Sequence, residues 1–508
     1  MKLRMRSSGY SRDTSSEEDF QIKYRQMLET SKSEKGDNFI TRSASSGYWL
    51  SALIPLALAS AFSSSLFTTY QPQCDLPQTY NLLTALAVGM VLESLCFFIY
   101  LNKKKENWHR SWKIILALIP IPLTTCMIKF VVLTTWPYAW CLSTVVIFLY
   151  QTVYVKILHG FPSTFTFGEA CVLVQSLILF LLNIFIKLYD IIFKGQTAII
   201  RDFDKLNLIV MTTLLWLSVI CLLLSICSWL RHAFCVYGLI SALAISATCL
   251  PLANASLPII TVWKFMFKDI MRLYIALFYA VLSSAAVCAV AWQLHRAQTA
   301  STSVRKIFHV LLVLVYMPGI LYQCTLLYVA IGAALALMVI IEILRLLCIP
   351  PLGEVLRNAF KCFADEKDAG LIALTPFCLL IGCSLPLWLK PCPCLITNSQ
   401  FGLQFLPLMA GVLTIGFGDT AASIFGSKYG RIKWRNGSRT LEGSLAFIVA
   451  TFIPILILNA LSFISLSVAQ WLVVAGAVIV SALVEAHTDQ IDNLVLPLIF
   501  YSIVSFIG

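Results

Sequence analysis

Long apolar runs recur along nearly the whole chain, and they leave few folds open. About fifteen of them, most roughly 18 to 25 residues long, can cross a hydrocarbon core as helices. We place them at 49–67, 81–101, 114–133, 138–156, 167–187, 207–229, 234–252, 271–292, 308–327, 329–348, 370–389, 402–417, 443–465, 469–486 and 493–507. Only 12% of the 508 residues are charged and 59% are hydrophobic, whereas soluble domains carry about 25% charged residues. The runs do not alternate apolar with polar, which excludes a β-barrel. The expected fold class is all-α, a polytopic integral membrane protein with about 15 transmembrane helices.

A net charge of +12 would suit a nucleic-acid partner, but the basic residues sit at the ends of the apolar runs. That placement is a topology signal, so no nucleic-acid partner is expected. Residues 1–48 are polar and charged and read as a disordered cytosolic tail. The tail, "NKKKENWHR", "QLHRAQTASTSVRK", the segment 345–370 and "EAHTDQID" fall on one side of the membrane. "TTWPYAW", "ANASLP" and "KPCPCLITNSQ" fall on the other, which makes Asn254 the accessible glycosylation sequon and Asn436 the inaccessible one. The 17 cysteines are mostly scattered through apolar runs, where a thiol acts as a small hydrophobe. The pair Cys392 and Cys394 is too short a motif to assign to a metal or to redox chemistry.

Polar chemistry gathers in the second half. In "VRKIFHV", Arg305 and His309 are four apart and share a helix face beside Lys306. Glu342 and Arg345 form an ionisable pair inside an apolar run, either functional or a lock between helices. Asp365, Glu366, Lys367 and Asp368 precede a span, where acids also complement a helix dipole. The densest stretch is "GFGDTAASIFGSKYGRIKWRNGSRTLEG". Its glycines, Gly418, Gly426, Gly430 and Gly443 among them, would let backbone N–H groups approach an anion. Lys428, Arg431, Lys433, Arg435 and Arg439 supply charge for phosphate. Asp419 and Glu442 supply oxygens for a hard cation. Glu485, Asp489 and Asp492 follow at spacings of four and three, as on one helix face. Acids beside basic phosphate contacts are what a nucleotide bound with a divalent cation requires. The general alternative for the glycines is tight helix packing.

The loop, followed by "EAHTDQIDNLVLPL" and preceded in order by "RKIFHV" and "CFADEKDAG", resembles the C-terminal region of the dolichol kinases. The resemblance covers roughly 300–508, so 301–508 is expected to be the catalytic membrane region and 49–300 a multi-span region of unassigned role. It implies transfer of the γ-phosphate of CTP to the terminal hydroxyl of dolichol, giving dolichyl phosphate for N-glycosylation and related pathways. It also implies an endoplasmic-reticulum membrane location with the N-terminus and the loop 418–442 cytosolic. The implied CTP contacts are Gly418, Ser423, Gly426, Ser427, Lys428, Tyr429 and Gly430, continuing with Arg431, Lys433, Trp434, Arg439, Thr440, Glu442 and Gly443. The family commonly has Lys where Arg439 stands; the charge is kept, although the side chains are not equivalent.

On this reading a divalent cation, Mg²⁺ or Ca²⁺, is held by Asp419 and by Glu485, Asp489 or Asp492. Asp489 or Asp492 takes or orients the hydroxyl proton. Lys306, Arg305 or Arg439 stabilises the transferring phosphoryl group, with His309 beside them. The partners are CTP, dolichol and the bilayer, with no obligate protein partner. Three other readings stay open: a phosphatidate cytidylyltransferase-like enzyme, a kinase for a shorter isoprenoid alcohol, and a transporter.

Overall fold

The computed structural model describes residues 39–67, 78–104, 111–193, 202–250, 257–296, 302–364, 366–368, 370–390, 393–396, 405–434 and 439–506. Asn254, Asp365, Cys392, Arg435 and Asn436 lie outside them, as does the tail before residue 39. The protein is an all-α polytopic membrane protein. Among the described residues the only strand-like pairing is an antiparallel bridge between Lys433 and Thr440.

A 3₁₀ turn at Tyr48–Ala52 leads into α1 (Leu53–Phe67), α2 (Gln78–Lys104), α3 (Ser111–Leu118), α4 (Pro120–Val132) and α5 (Trp136–Gly160). Then come α6 (Phe167–Phe193), α7 (Asp202–Ile226), α8 (Ala233–Cys249), α9 (Pro258–Phe267) and α10 (Ile270–His295). The chain continues with α11 (Thr302–Tyr322), α12 (Cys324–Leu346), α13 (Gly353–Phe363) and α14 (Leu374–Leu389). After a single turn at Phe405–Leu408 and a π-helical segment at Val412–Asp419, α15 (Thr420–Tyr429), α16 (Leu441–Ala460), α17 (Val468–His487) and α18 (Asp492–Ser505) complete it.

Ten of the spans in the described residues are long and apolar enough to cross a membrane, and five shorter apolar helices accompany them. The total matches the number of apolar runs, but the sets differ. The run at 402–417 forms no regular span, and α9 has no counterpart among the runs. Helix ends follow local chemistry. Asp269 caps α10 by accepting the Met271 N–H at 3.0 Å. Ser467 and Gln470 form a capping box that opens α17. Charged Glu354, Arg357 and Lys361 recur at intervals of three and four on α13, giving that helix one polar face.

The centre of the bundle is the short helix α18, buried on all sides from Asn493 to Tyr501. It packs on α1, α14 and α17 and on the π segment. Gly382 of α14 makes this possible, because a methyl there would meet the backbone carbonyl of Asn493. The buried pair expected at Glu342 and Arg345 forms, with contacts of 2.8 and 2.6 Å. Arg345 also donates to the Leu371 carbonyl, and Glu342 accepts the Ala373 N–H at 2.9 Å. The pair therefore locks the end of α12 to the entry of α14, which is the structural one of its two readings. Asp368 accepts the Thr375 N–H at 2.8 Å, the capping role of the acids before that span.

Cys324, opening α12, is disulfide-bonded to Cys394 just after α14, a pairing that spacing did not suggest. One expectation needs correction: the polar tail does not run to residue 48 as loose chain. From Phe39 it is packed, with Arg42 buried against Glu169 of α6 at 2.6 Å. A charge this far from water persists because it has a close opposite partner.

Candidate active site

The site forms where α11, the π segment, the 430–440 loop and the α17–α18 junction meet. The π segment widens the helix by one residue per turn and ends on Asp419. Small residues let its neighbours close in: Gly416 faces Val313 of α11, and Gly418 faces Phe447 and Thr451 of α16. Asp419 is thereby 2% exposed, and its Oδ2 receives Lys306 Nζ and, at 3.3 Å, His309 Nε2. Lys306 and His309 are three apart on α11, so one helix face presents both. Arg305, half-buried, is their neighbour on that helix.

The second half of the site is organised by Arg439. Its guanidinium lies 2.8 Å from Glu485 at the end of α17 and 3.4 Å from Asp492 at the start of α18. Asp492 also meets Lys367 at 3.0 Å. Burial opposes the charge on Arg439, yet the carboxylates of Glu485, Asp492 and Asp419 hold its pKa above the ordinary arginine value. Asp419, Glu485 and Asp492 thus face one cluster with Lys306, His309, Arg439 and Lys367. Lys367 was not picked out as a site residue by the sequence. The signal was present in "CFADEKDAG", but spacing alone does not show which acid it meets.

Asp489 does not join this cluster. The helix face drawn through Glu485, Asp489 and Asp492 is broken, because α17 ends at His487 and α18 begins at Asp492. Asp489 sits exposed in the bend and accepts from Ser45 N at 2.5 Å and Ser45 Oγ at 2.6 Å. Burial would raise its pKa, but these hydrogen bonds outweigh that and hold the carboxyl below its usual range. The bend is fastened from the N-terminal side. Arg42 donates to the Asp489 carbonyl, and Glu169 accepts the Ile491 N–H at 3.1 Å. Gln490 reaches Ser45 and Thr166. None of Arg42, Ser45, Glu169 or Gln490 carries a local motif, since each partner comes from a distant part of the chain.

The described ends of the basic loop, 430–434 and 439–440, pair between α15 and α16. Trp434 N–H donates to the Arg439 carbonyl at 3.0 Å, and the indole meets Ser444 Oγ at 3.1 Å and the His487 ring at 4.8 Å. Thr440 caps α16 by accepting the Gly443 N–H, and Glu442 accepts the Ile432 N–H at 3.1 Å. Lys428, Tyr429, Arg431, Lys433 and Ser427 are exposed, with Ser423 half-buried. The glycines have the packing role that was the alternative reading of them. Methyls at Gly426, Gly430 and Gly443 would meet Thr440 or one another's backbone, and none of these residues has a positive φ. They let α15 close on the start of α16, as small residues do between membrane helices.

Among the described residues, buried Asp419 Oδ1, His309 Nδ1 and Glu485 Oε1 lack hydrogen-bond partners; the Arg439 approach to Glu485 is an ion contact with poor hydrogen-bond geometry. Unsatisfied carboxylate oxygens suit a hard divalent cation. Among the described residues, however, no three His, Cys, Asp or Glu side chains close on one point. Asp419, Glu485 and Asp492 are the carboxylates here that could contribute oxygens to such a cation, beside those of a nucleotide's phosphates.

Comparison with known proteins bears on the chain as a whole. The family described as dolichol kinase matches residues 120–378, just over half of the chain. A dolichol kinase of Bos taurus is 34% identical over 409 residues, covering 75% of this chain and 74% of its own. Those of Homo sapiens and Mus musculus are 35% and 36% identical, each covering 70% of this chain and 68% of their own. The likeness thus reaches well into the N-terminal half, beyond the 300–508 region that carries the motifs. No solved structure matches the chain. With a matching family over half its length and relatives that align across most of both chains, this protein belongs to the dolichol kinase family.

Proposed function

We propose that the protein phosphorylates dolichol with CTP at the Asp419–Arg439 cluster. The observation that carries this is a buried carboxylate, Asp419, held by Lys306 and His309 in a site whose other acids converge on one arginine. CTP enters over the exposed cations Lys428, Arg431 and Lys433, with Ser423, Ser427, Tyr429, Trp434 and Thr440 along the same loop. Asp419, Glu485 and Asp492 are the residues that would hold a divalent cation, Mg²⁺ or Ca²⁺; Asp489 leaves that set. The cation would neutralise charge on the β- and γ-phosphates.

Asp492 takes the proton from the dolichol hydroxyl. The freed oxygen attacks the γ-phosphorus, and the bond from that phosphorus to the β-phosphate oxygen breaks. CDP leaves, and dolichyl phosphate and one proton are the other products. Lys306 and Arg439 balance charge as it spreads over the equatorial oxygens, an effect that depends on positioning and electrostatics more than on covalent chemistry. His309 fixes the orientation of Asp419.

The site opens to the cytosolic face of the endoplasmic reticulum in this reading. Basic loops crowd that side, and the Cys324–Cys394 disulfide lies at the opposite ends of α12 and α14, as befits an oxidising lumen. The test is a membrane assay with CTP radiolabelled at either the γ or the α position, with dolichol and Mg²⁺ or Ca²⁺. Lipid label from the γ position alone is expected. Label from the α position would instead mark cytidylyl transfer, and no lipid label from either would remove the kinase reading.

A further inference from the structure

A cavity of ≈ 1930 Å³ runs through the bundle beside the site. Its walls are helix stripes. On α6 the lining residues include Glu169, Leu173, Ser176, Phe180, Asn183 and Lys187, at intervals of three and four along nearly the whole helix, and the lining spreads to flanking positions such as Leu177. On α14 they include Leu374, Phe377, Ile381, Leu385 and Trp388, with Cys378 and Leu387 beside them, spanning about 21 Å by helix rise. Faces of α7 and α12 close the other sides, through residues such as Leu214 and Val339. The cavity is thus a channel parallel to the helices, as deep as α14 is long and apolar through its middle.

Its two ends differ. At one end it reaches Ile491 and Leu494, which bracket Asp492, and Leu371 and Ile372, which follow Lys367. The Lys367–Asp492 ion pair therefore stands between the channel and the acid cluster. At the other end lie Trp388, Leu389, Lys390 and Cys394, where the Cys324–Cys394 disulfide ties α12 to the chain after α14. The wall is incomplete at the side, where Leu149 of α5 and Leu222 of α7 both line the channel and are exposed to the surroundings of the bundle.

We propose that this channel holds the isoprenoid chain of the alcohol substrate, with the hydroxyl at the Lys367–Asp492 pair and the chain extending toward the disulfide end. The proposal rests on the kinase reading and assigns it a lipid subsite. A pocket with mostly apolar walls and its charged lining residues near the helix ends suits a long hydrocarbon with one polar terminus. The side opening between α5 and α7 gives a bilayer-dissolved chain a way in without passing through water. Long apolar chains need such burial: each methylene removed from water contributes about 0.8 kcal/mol, so a snug channel competes with the bilayer through fit and through placement of the hydroxyl.

The test uses the full chain in native membranes and a short polyprenol, about as long as the channel, with a photoactivatable diazirine on the isoprene farthest from its hydroxyl. The probe is first assayed for phosphorylation, then irradiated, and adducts are mapped by mass spectrometry. The expected result is a phosphorylated probe whose adducts cluster around Trp388 and Leu389 and are competed by unlabelled polyprenol. Ser176→Trp, which narrows the channel at mid-depth, is expected to reduce those adducts and raise KM for a long polyprenol about tenfold or more. Ser218→Phe on the opposing α7 wall repeats that test if the first variant fails to fold. A phosphorylated probe with adducts only on outward-facing positions such as Leu445 or Leu472 overturns the channel and leaves the kinase reading intact. An unphosphorylated probe removes the kinase reading, and adducts at Trp388 would then make the channel a site for a bilayer lipid.

Discussion

Asp419 shows how one buried side chain sets the terms for its neighbours. With 2% exposure it keeps its charge only because Lys306 and His309 sit against it. Lys306→Met should lower stability by about 3–5 kcal/mol, the usual cost of leaving one partner of a buried pair alone, and should abolish detectable turnover. Adding Asp419→Asn should recover much of the stability and none of the activity. Thermal midpoints in detergent, with the activity assay, separate these outcomes; equal instability of single and double variants would disprove the pairing. Asp489 provides the pH counterpart. Burial pushes its pKa up, but the Ser45 hydrogen bonds pull it further down. A carboxyl depressed in the folded state contributes stability that is complete above its unfolded pKa and is lost as pH falls through the folded one. The N-terminal segment should therefore stay docked at neutral pH and loosen only in acid, below the ordinary carboxylate range. Protease cleavage within 39–47 followed against pH measures this, and Ser45→Ala should move the onset to higher pH.

The elements around the site owe their positions to small residues more than to regular helix geometry. Gly418 lets the π segment lie on α16, where a methyl would strike the Phe447 ring and the Thr451 hydroxyl. Gly418→Ala should cost about 1–3 kcal/mol as overpacking and should reduce turnover by displacing the adjacent Asp419. Gly476, within α17, has open space where a methyl would stand. Gly476→Ala should leave activity unchanged and stabilise by up to about 1 kcal/mol through helix propensity. A matched pair of melting curves decides the point; equal effects would mean that glycine matters here for backbone freedom and not for contact. Glycine-rich sequence next to cations was legible as a loop near a site, but whether each glycine cradles an anion or admits a helix depends on what packs opposite.

The whole molecule is closed by contacts between its beginning and its end. Arg42 pairs with Glu169 and reaches the Asp489 carbonyl, while Glu169 holds the Ile491 N–H, so the N-terminal segment fixes the bend that presents Asp492. Arg42→Met should lower stability by about 3–5 kcal/mol as a broken buried pair and should lower kcat, although Arg42 touches none of the reacting groups. Arg42→Met with Glu169→Gln should restore part of the stability, with kcat still low because the bend has lost its fastening. Full recovery of kcat in the double variant would argue against a positioning role.

The all-α membrane class, the lipid-facing character of most helices and the residue types of the candidate site were legible directly, because hydropathy and motif spacing are local properties of the chain. The runs at 81–101, 138–156 and 469–486 became long helices for that reason. The cluster itself depends on opposition between distant segments. Arg42 meets Glu169 across 127 positions and Lys306 meets Asp419 across 113. Spacing placed Asp489 with Glu485 and Asp492; the break between α17 and α18 removed it, and packing brought in Lys367 instead. Which charges meet, which glycines are contacts and where a channel remains between helix faces are set by how helices pack side by side, and that follows from the shapes of both surfaces at each contact.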